Sequence, residues 1–185
     1  MMDFLYSIDL SVFYFFNHTL SFPLLDKFFV FITEAKNWMI TYVVLWCILF
    51  FKGGKRGKII AVFSLIVITV SDQLSSFVVK NLVGRIRPCN ALPDVKILAG
   101  CTDSFSFPSS HAVNNFAIAV FVNKFYPNLK WILFIVAALV SVSRIYVGRH
   151  YPSDVIGGAV IGSAIGYMLS FITEKIILHF SPVEK

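Results

Sequence analysis

Charge is scarce in this chain, and acid scarcest. Asp, Glu, Lys and Arg together make up 14% of 185 residues, with 10 acidic side chains against 16 basic ones. Alongside 57% hydrophobic residues and a mean hydropathy of +0.78, that scarcity excludes a soluble domain of this length. The chain reads as an integral membrane protein. A helix crossing the hydrocarbon needs ~20 residues, so the length accommodates about five or six spans with short loops and leaves no room for a second domain. The +6 net charge is not gathered into a long basic helix or arm, which argues against nucleic acid and for an anionic lipid as partner. No cationic stretch precedes the first apolar run, and Asp3 and Asp9 interrupt that run, so a cleaved signal peptide is not expected.

Hydropathy and punctuation set an expected topology. Residues 1–33 are aromatic-rich but carry Asp3, Asp9, Asn17 and His18, which suits a helix lying in the interface. The first span is expected over Trp38 to Phe51, ending at the basic loop Lys52 to Lys58, which the positive-inside rule makes cytoplasmic. A second span, Ile59 to Val79, then carries Lys80 to the opposite face. A Pro- and Ser-rich loop over Gly84 to Phe107 follows there. The third span starts near Ser109 and turns at Lys124 to Lys130, where Pro127 and Asn128 break the helix. The fourth covers Trp131 to Val147, and the fifth runs from Ser153 to Phe171 into a cytoplasmic tail with Lys175 and Lys185. The expected fold is therefore an all-α polytopic transmembrane bundle of five spans, in one domain over residues 1–185. If Phe4 to Thr33 crosses as well, the count becomes six.

Against this apolar background stand three polar segments, two of them cationic and two bearing histidine: Lys80 to Pro88, Pro108-Ser-Ser-His111, and Ser143 to Asp154. Each sits at the end of a hydrophobic run, and parity puts all three on the extracytoplasmic face. Read for chemistry, they supply fixed cations for an anion, two imidazoles, and a carboxylate spaced to orient one of them. That is equipment for phosphoryl transfer, which needs an in-line nucleophile, neutralised equatorial oxygens and a proton for the leaving group.

At these residues the chain resembles the type 2 phosphatidic acid phosphatase family of membrane-embedded lipid phosphatases. The family signature is Lys, six residues and Arg-Pro; then Pro-Ser-Gly-His; then Ser-Arg, five residues, His, three residues and Asp. Lys80 to Pro88 fits the first element and Ser143 to Asp154 the third, spacing included. The second departs once: Ser110 stands where the family has glycine, which would matter only if the backbone there needed positive φ. The dense resemblance covers residues 80–158.

The resemblance implies a phosphohistidine mechanism with His150 as nucleophile and Asp154 as its orienting carboxylate. His111 is the matching acid for the leaving oxygen and then the base that activates water. Lys80, Arg87 and Arg144 are placed to hold phosphate oxygens, the arginines through planar forks. Ser109 and Ser110 open the third helix and can add backbone N–H groups and helix dipole to the cradle. Merely snorkelling cations would account for Lys80, Arg87 and Arg144, but several cations on the outer face run against the usual charge bias. Arg85 and Arg149 match no fixed motif position and are expected at the loop edge, facing head groups or water. His18 and His179 are read as structural.

No metal site is expected, because the motif histidines lack a nearby cluster of carboxylates or thiolates. No cofactor is expected either. Cys47 lies within a span. Cys89 and Cys101 flank one outer loop, where an oxidising compartment could bridge them. Asp72, mid-span among Ser71, Gln73, Ser75 and Ser76, is either a partner of the pocket or a polar helix-packing contact, sharing a face with Lys80 eight residues on. Gly158, Gly162, Gly166 and Ser170 form a small-residue stripe for close helix packing.

The expected function is hydrolysis of a lipid phosphate or diphosphate at the outer leaflet of a bacterial inner membrane. The resemblance allows lipid A 1-phosphate, undecaprenyl diphosphate, phosphatidylglycerol phosphate and phosphatidic acid, with a lean toward a diphosphate or glycosyl-phosphate lipid. Three other readings stay open: a lipid-phosphate binding or transport protein, a lipid phosphotransferase, and a haloperoxidase-type oxyanion chemistry that shares the motif pattern. The many spans argue against the last.

Overall fold

The computed structural model describes residues 2–180. Among them every regular element is helical, as expected of a chain whose backbone polar groups must be satisfied within each segment. The order is α1 (Met2–Tyr14), α2 (Pro23–Thr33), α3 (Met39–Lys52), α4 (Gly54–Gln73), α5 (Lys80–Val83), α6 (Pro88–Ala91), α7 (Ser110–Phe125), α8 (Lys130–Tyr146) and α9 (Pro152–Phe180). A π-helical stretch, Leu74–Val79, joins α4 to α5, and another, Phe15–Thr19, follows α1.

Among the described residues, three stretches are long and apolar enough to cross a membrane: Gly54–Ala91, Pro127–Tyr146 and Pro152–Phe180. Helix α3 is apolar but shorter, at 14 residues, and α7 has 16. Both fall below the ~20 residues of an untilted crossing. The helices also overrun their expected limits. Helix α9 continues to Phe180 rather than stopping near Phe171, and its far end is held to α7 by the Lys124–Glu174 pair at 3.1 Å. Lys185 lies outside the described residues.

The centre is a three-helix contact. Ile60 and Val67 of α4, Val113, Ala117 and Phe121 of α7, and Ile165 and Leu169 of α9 form one buried cluster. Helices α7 and α9 meet most extensively, and the glycine stripe is the cause. A Cβ at Gly158 would lie 2.8 Å from the carbonyl oxygen of Ser109, and those at Gly162 and Gly166 would collide with the carbonyls of Val113 and Ala117. Only hydrogen on these Cα atoms lets the two backbones touch, and the contact draws the start of α7 against the start of α9.

The N-terminal segment is helical but does more than lie along a surface. Asp9, Phe13, Asn17, Phe29, Ile32 and Thr33 are buried against the rest of the chain. Asn17 donates to the carbonyls of Lys96 and Tyr146 and accepts from the Lys96 N–H, all within 2.9 Å. Asp26 accepts from Tyr146 Oη at 2.6 Å and from Lys96 Nζ at 2.8 Å. Helices α1 and α2 are thereby pinned to α8 and to the loop between α6 and α7.

Candidate active site

The first motif is delivered by a break in winding. The π stretch Leu74–Val79 lies between Asp72 and Lys80, and Lys80 emerges buried at the start of α5, within electrostatic range of Asp72. Asp72 accepts from Asn114 Nδ2 at 3.2 Å, while Ser71 donates to Asn114 Oδ1 at 2.7 Å. Of the two readings left open for Asp72, the helix-packing contact is the one with a hydrogen bond behind it. Gly84, at φ +62°, ends α5 in the left-handed region where side chains are penalised, and it turns the chain so that Arg85 and Arg87 point back over the bundle.

Arg87 is fixed before it meets any ligand. Its Nε donates to the Ser104 carbonyl at 2.7 Å, Nη2 to Ser104 Oγ at 2.9 Å, and Nη1 to the Arg149 carbonyl at 3.1 Å. Nη1 also lies 2.9 Å from Nε2 of His150. A guanidinium only donates, so Nε2 presents its lone pair and the ring proton belongs on Nδ1. That nitrogen faces Asp154 Oδ2 at 3.5 Å. Burial, and less so the charges of Arg144 and Arg87, depresses the His150 pKa to about 3 against the opposing pull of Asp154. The imidazole is neutral near pH 7.

Asp154 is fully buried and fully engaged. Oδ2 accepts from Ser106 Oγ and, at 2.9 Å, from the Tyr151 backbone N–H; Oδ1 accepts from Arg85 Nη1 at 2.7 Å. The Ser109 N–H donates to the Asp154 carbonyl at 3.1 Å, which ties the second motif to the third. Ser110 begins α7 in ordinary helical conformation, and the only non-glycine residue with positive φ among the described residues is Asp94. The serine at the family's glycine position is therefore unstrained. Its hydroxyl bonds to Ser75 and Ser76 of the π stretch rather than turning toward Arg87.

His111 occupies the first turn of α7, within electrostatic range of Arg144, His150 and Arg149. Arg144, buried near the end of α8, donates through Nη1 to Thr33 Oγ1 at 2.5 Å. Its Nε and the hydroxyl of Ser109 are buried with no partner among the described residues. Among those residues no three His, Cys, Asp or Glu side chains are grouped to hold a metal ion. Cys89 and Cys101 form a disulfide with their Cα atoms 6.2 Å apart, closing a loop that ends three residues before Ser104.

Two expectations are overturned. Arg85 is not a loop-edge side chain: it pairs with Asp154 and, at 2.6 Å, with Asp9 Oδ2. Arg149 is likewise committed, donating through Nε to the Gly100 carbonyl at 2.6 Å and through Nη2 to that of Ala99. For Arg85 the buried carboxylates outcompete water because a desolvated carboxylate is costly without a donor; Arg149 bonds to carbonyls of the half-exposed loop itself. Sequence reasoning also passed over Ser106, Ser104, Thr33, Asp9 and Ser153. Of these only Ser106 and Ser153 carried a local signal, lying beside the Pro108 and Asp154 motif positions.

Fold and site together define a class: a helical, membrane-type protein with a neutral imidazole, backed by a carboxylate, facing a cluster of fixed cations. The chain belongs to the PAP2 superfamily, whose profile matches residues 61–177. It is 34% identical over 185 residues to a lipid A 4'-phosphatase of Bacteroides thetaiotaomicron, covering 95% of this chain and 81% of that one. It is 32% identical over 147 residues to an undecaprenyl-diphosphatase of Sulfolobus acidocaldarius, covering 78% and 68%. Its fold matches the crystal structure of a transmembrane PAP2 type phosphatidylglycerolphosphate phosphatase from Bacillus subtilis with a TM-score of 0.73 and 27% identity, over 93% of this chain and 87% of that one.

Proposed function

We propose that the protein is a metal-independent hydrolase of lipid phosphates or diphosphates that works through a phosphohistidine. The observation that carries this reading is the Arg87–His150 contact, which leaves the lone pair of Nε2 directed at the cations and the Nδ1 proton directed at Asp154. A phosphate seated among Lys80, Arg87 and Arg144 would take over the Arg87 N–H and put phosphorus in front of Nε2. The unpartnered Arg144 Nε and Ser109 hydroxyl are donors such a phosphate would satisfy.

Nε2 then bonds to phosphorus as the phosphorus–oxygen bond to the lipid breaks. The departing oxygen takes its proton from His111, which is protonated as the anionic phosphate enters beside it, and Asp154 stabilises the charge that develops on the His150 ring. Water, giving a proton back to His111, attacks the phosphohistidine and releases inorganic phosphate. Ser110 supports this pocket from the α7 end.

The lipid substrate is a glycosyl phosphate of the lipid A type or a polyprenyl diphosphate, in preference to phosphatidic acid. Support comes from the names of the relatives, a lipid A 4'-phosphatase and an undecaprenyl-diphosphatase among them. Lipid A 1-phosphate and 4'-phosphate are both included, since the Bacteroides relative acts at the latter. We further place the protein in a bacterial inner membrane with five spans in one domain and the site on the outer face, since the basic loop Lys52 to Lys58 lies at the opposite end of α4 from Lys80.

The test is phosphate release in detergent with excess chelator, comparing wild type with His150→Ala over a panel of these lipids. Release by wild type alone supports the reading and ranks the substrates. Equal release by both would exclude His150 as nucleophile, and release by neither would leave a lipid-phosphate binding protein.

A further inference from the structure

Buried Asp154 has two ionic neighbours, His150 on Oδ2 and Arg85 on Oδ1. With His150 neutral, the only cation paired to this carboxylate among the described residues is Arg85. The same guanidinium spans to a second buried carboxylate: Nη2 lies 2.6 Å from Asp9 Oδ2 on α1. Ser153 completes the bridge, its N–H donating to Asp9 Oδ1 at 2.8 Å and its hydroxyl to Asp9 Oδ2 at 2.6 Å, while Arg85 Nη1 reaches the same hydroxyl at 2.6 Å. The Arg85 Cζ also sits 3.8 Å from the ring centroid of Tyr151. None of these contacts points to where the phosphate would sit. Arg85 grips Asp154 by the oxygen turned away from the imidazole.

We propose that Arg85 is a positioning residue that acts through Asp154, and that Asp9 makes the docking of the N-terminal helix part of the active-site machinery. The inference rests on the hydrolase reading. The physical ground is that a buried carboxylate deprived of its cation either rotates or changes its protonation, and each outcome releases the Nδ1 side of His150. Asp9 in turn fixes Arg85: one guanidinium between two carboxylates has a single planar arrangement, whereas one held by Asp154 alone could swing toward solvent. A misplaced nucleophile loses rate rather than affinity, because the phosphate is held by other side chains.

The experiment measures kcat and KM for phosphate release by the full chain in detergent, for wild type, Arg85→Gln, Arg85→Lys and Asp9→Asn. Thermal unfolding with and without inorganic phosphate reports whether the pocket persists. Arg85→Gln is expected to lose about 100-fold in kcat with KM within about threefold, and to keep the stabilisation by phosphate. Arg85→Lys, which reaches one carboxylate but not both, should recover about tenfold, and Asp9→Asn should lose about tenfold in kcat alone. A kcat near the wild-type value in Arg85→Gln would overturn the proposal. So would a raised KM with kcat kept, which would put Arg85 on the substrate. If Arg85→Gln does not fold, Asp9→Asn decides, and an unchanged kcat there removes the role of α1. Wild type inactive on every lipid would instead fell the hydrolase reading itself, a result distinguishable because it appears before any variant is made.

Discussion

Nη1 of Arg87 lies 2.9 Å from Nε2 of His150, and the same guanidinium is held by Ser104 and the Arg149 carbonyl. The cation proposed to bind phosphate and the proposed nucleophile are thus locked in one geometry. Arg87→Lys keeps the charge and loses the fork, so neither the Ser104 anchors nor the Nε2 contact can be kept together. We expect kcat/KM to fall about 100-fold, read from initial rates over a range of substrate concentrations. A loss within about threefold would mean that charge alone suffices at this position.

Asp154→Asn tests the carboxylate separately from its shape. Asparagine fits the space, but its amide would present N–H groups to Ser106, Tyr151 or Arg85, all of which now donate. The imidazole loses its preference for the Nδ1 proton and the stabilisation of its developing charge. We expect kcat to fall by about three to four orders of magnitude, with thermal stabilisation by inorganic phosphate retained. A variant that keeps more than a tenth of the rate would show that ring orientation is set elsewhere.

What the sequence made legible follows from what is local. Motif spacing identified the side chains that the structure gathers at one end of the bundle, because each motif sits on one helix end and carries its geometry with it. The Gly158 to Ser170 stripe likewise announced a close helix contact through its period. Illegible were the partners that join distant segments. Arg144 meets Thr33 across 111 positions and Arg85 meets Asp9 across 76, and no periodicity or turn signal encodes such pairings. Arg85 was misread for that reason: nothing within a few residues of it announces a buried acceptor. The π stretch before Lys80 was equally illegible, because it has the composition of an ordinary apolar helix.

The disulfide closes a loop whose ends are 12 residues apart and which contains neither histidine. Its removal by Cys89→Ser with Cys101→Ser frees that loop in the unfolded chain and loosens Ser104 under Arg87. The expected cost is about 3 kcal/mol of stability, checked by unfolding in detergent. Activity at low temperature should fall far less than in Arg87→Lys. A double variant as stable as wild type would mean that the packing of Asn17 and Asp26 already fixes the loop.

Close contact between α7 and α9 predicts a steep position dependence along one helix. Gly162→Ala drives a methyl into the Val113 backbone, which has no rotamer with which to yield. Val160→Ala, two residues away at a site 65% exposed, removes side chain where nothing is packed against it. The first should cost about 1–3 kcal/mol and the second close to nothing, measured as thermal unfolding in the same detergent. Equal effects would show that the helices part readily.

Acid should destabilise the fold through His150. Its pKa is about 3 when buried, against ~6.5 in an unfolded chain. Between those values the unfolded state binds the extra proton, so stability rises with pH through this window and is lost as pH falls below ~6.5. His150→Asn removes the titrating group while leaving the other carboxylates and histidines in place. From pH 7 to 4.5, wild type is expected to lose about 2 kcal/mol more than the variant, measured by denaturant unfolding in detergent at each pH. Equal losses would mean that the folded protein binds a proton at His150 as readily as the unfolded chain does, with a pKa near the ordinary ~6.5. The Nε2 lone pair would then be lost progressively as pH falls through ~6.5, and turnover should fall with it.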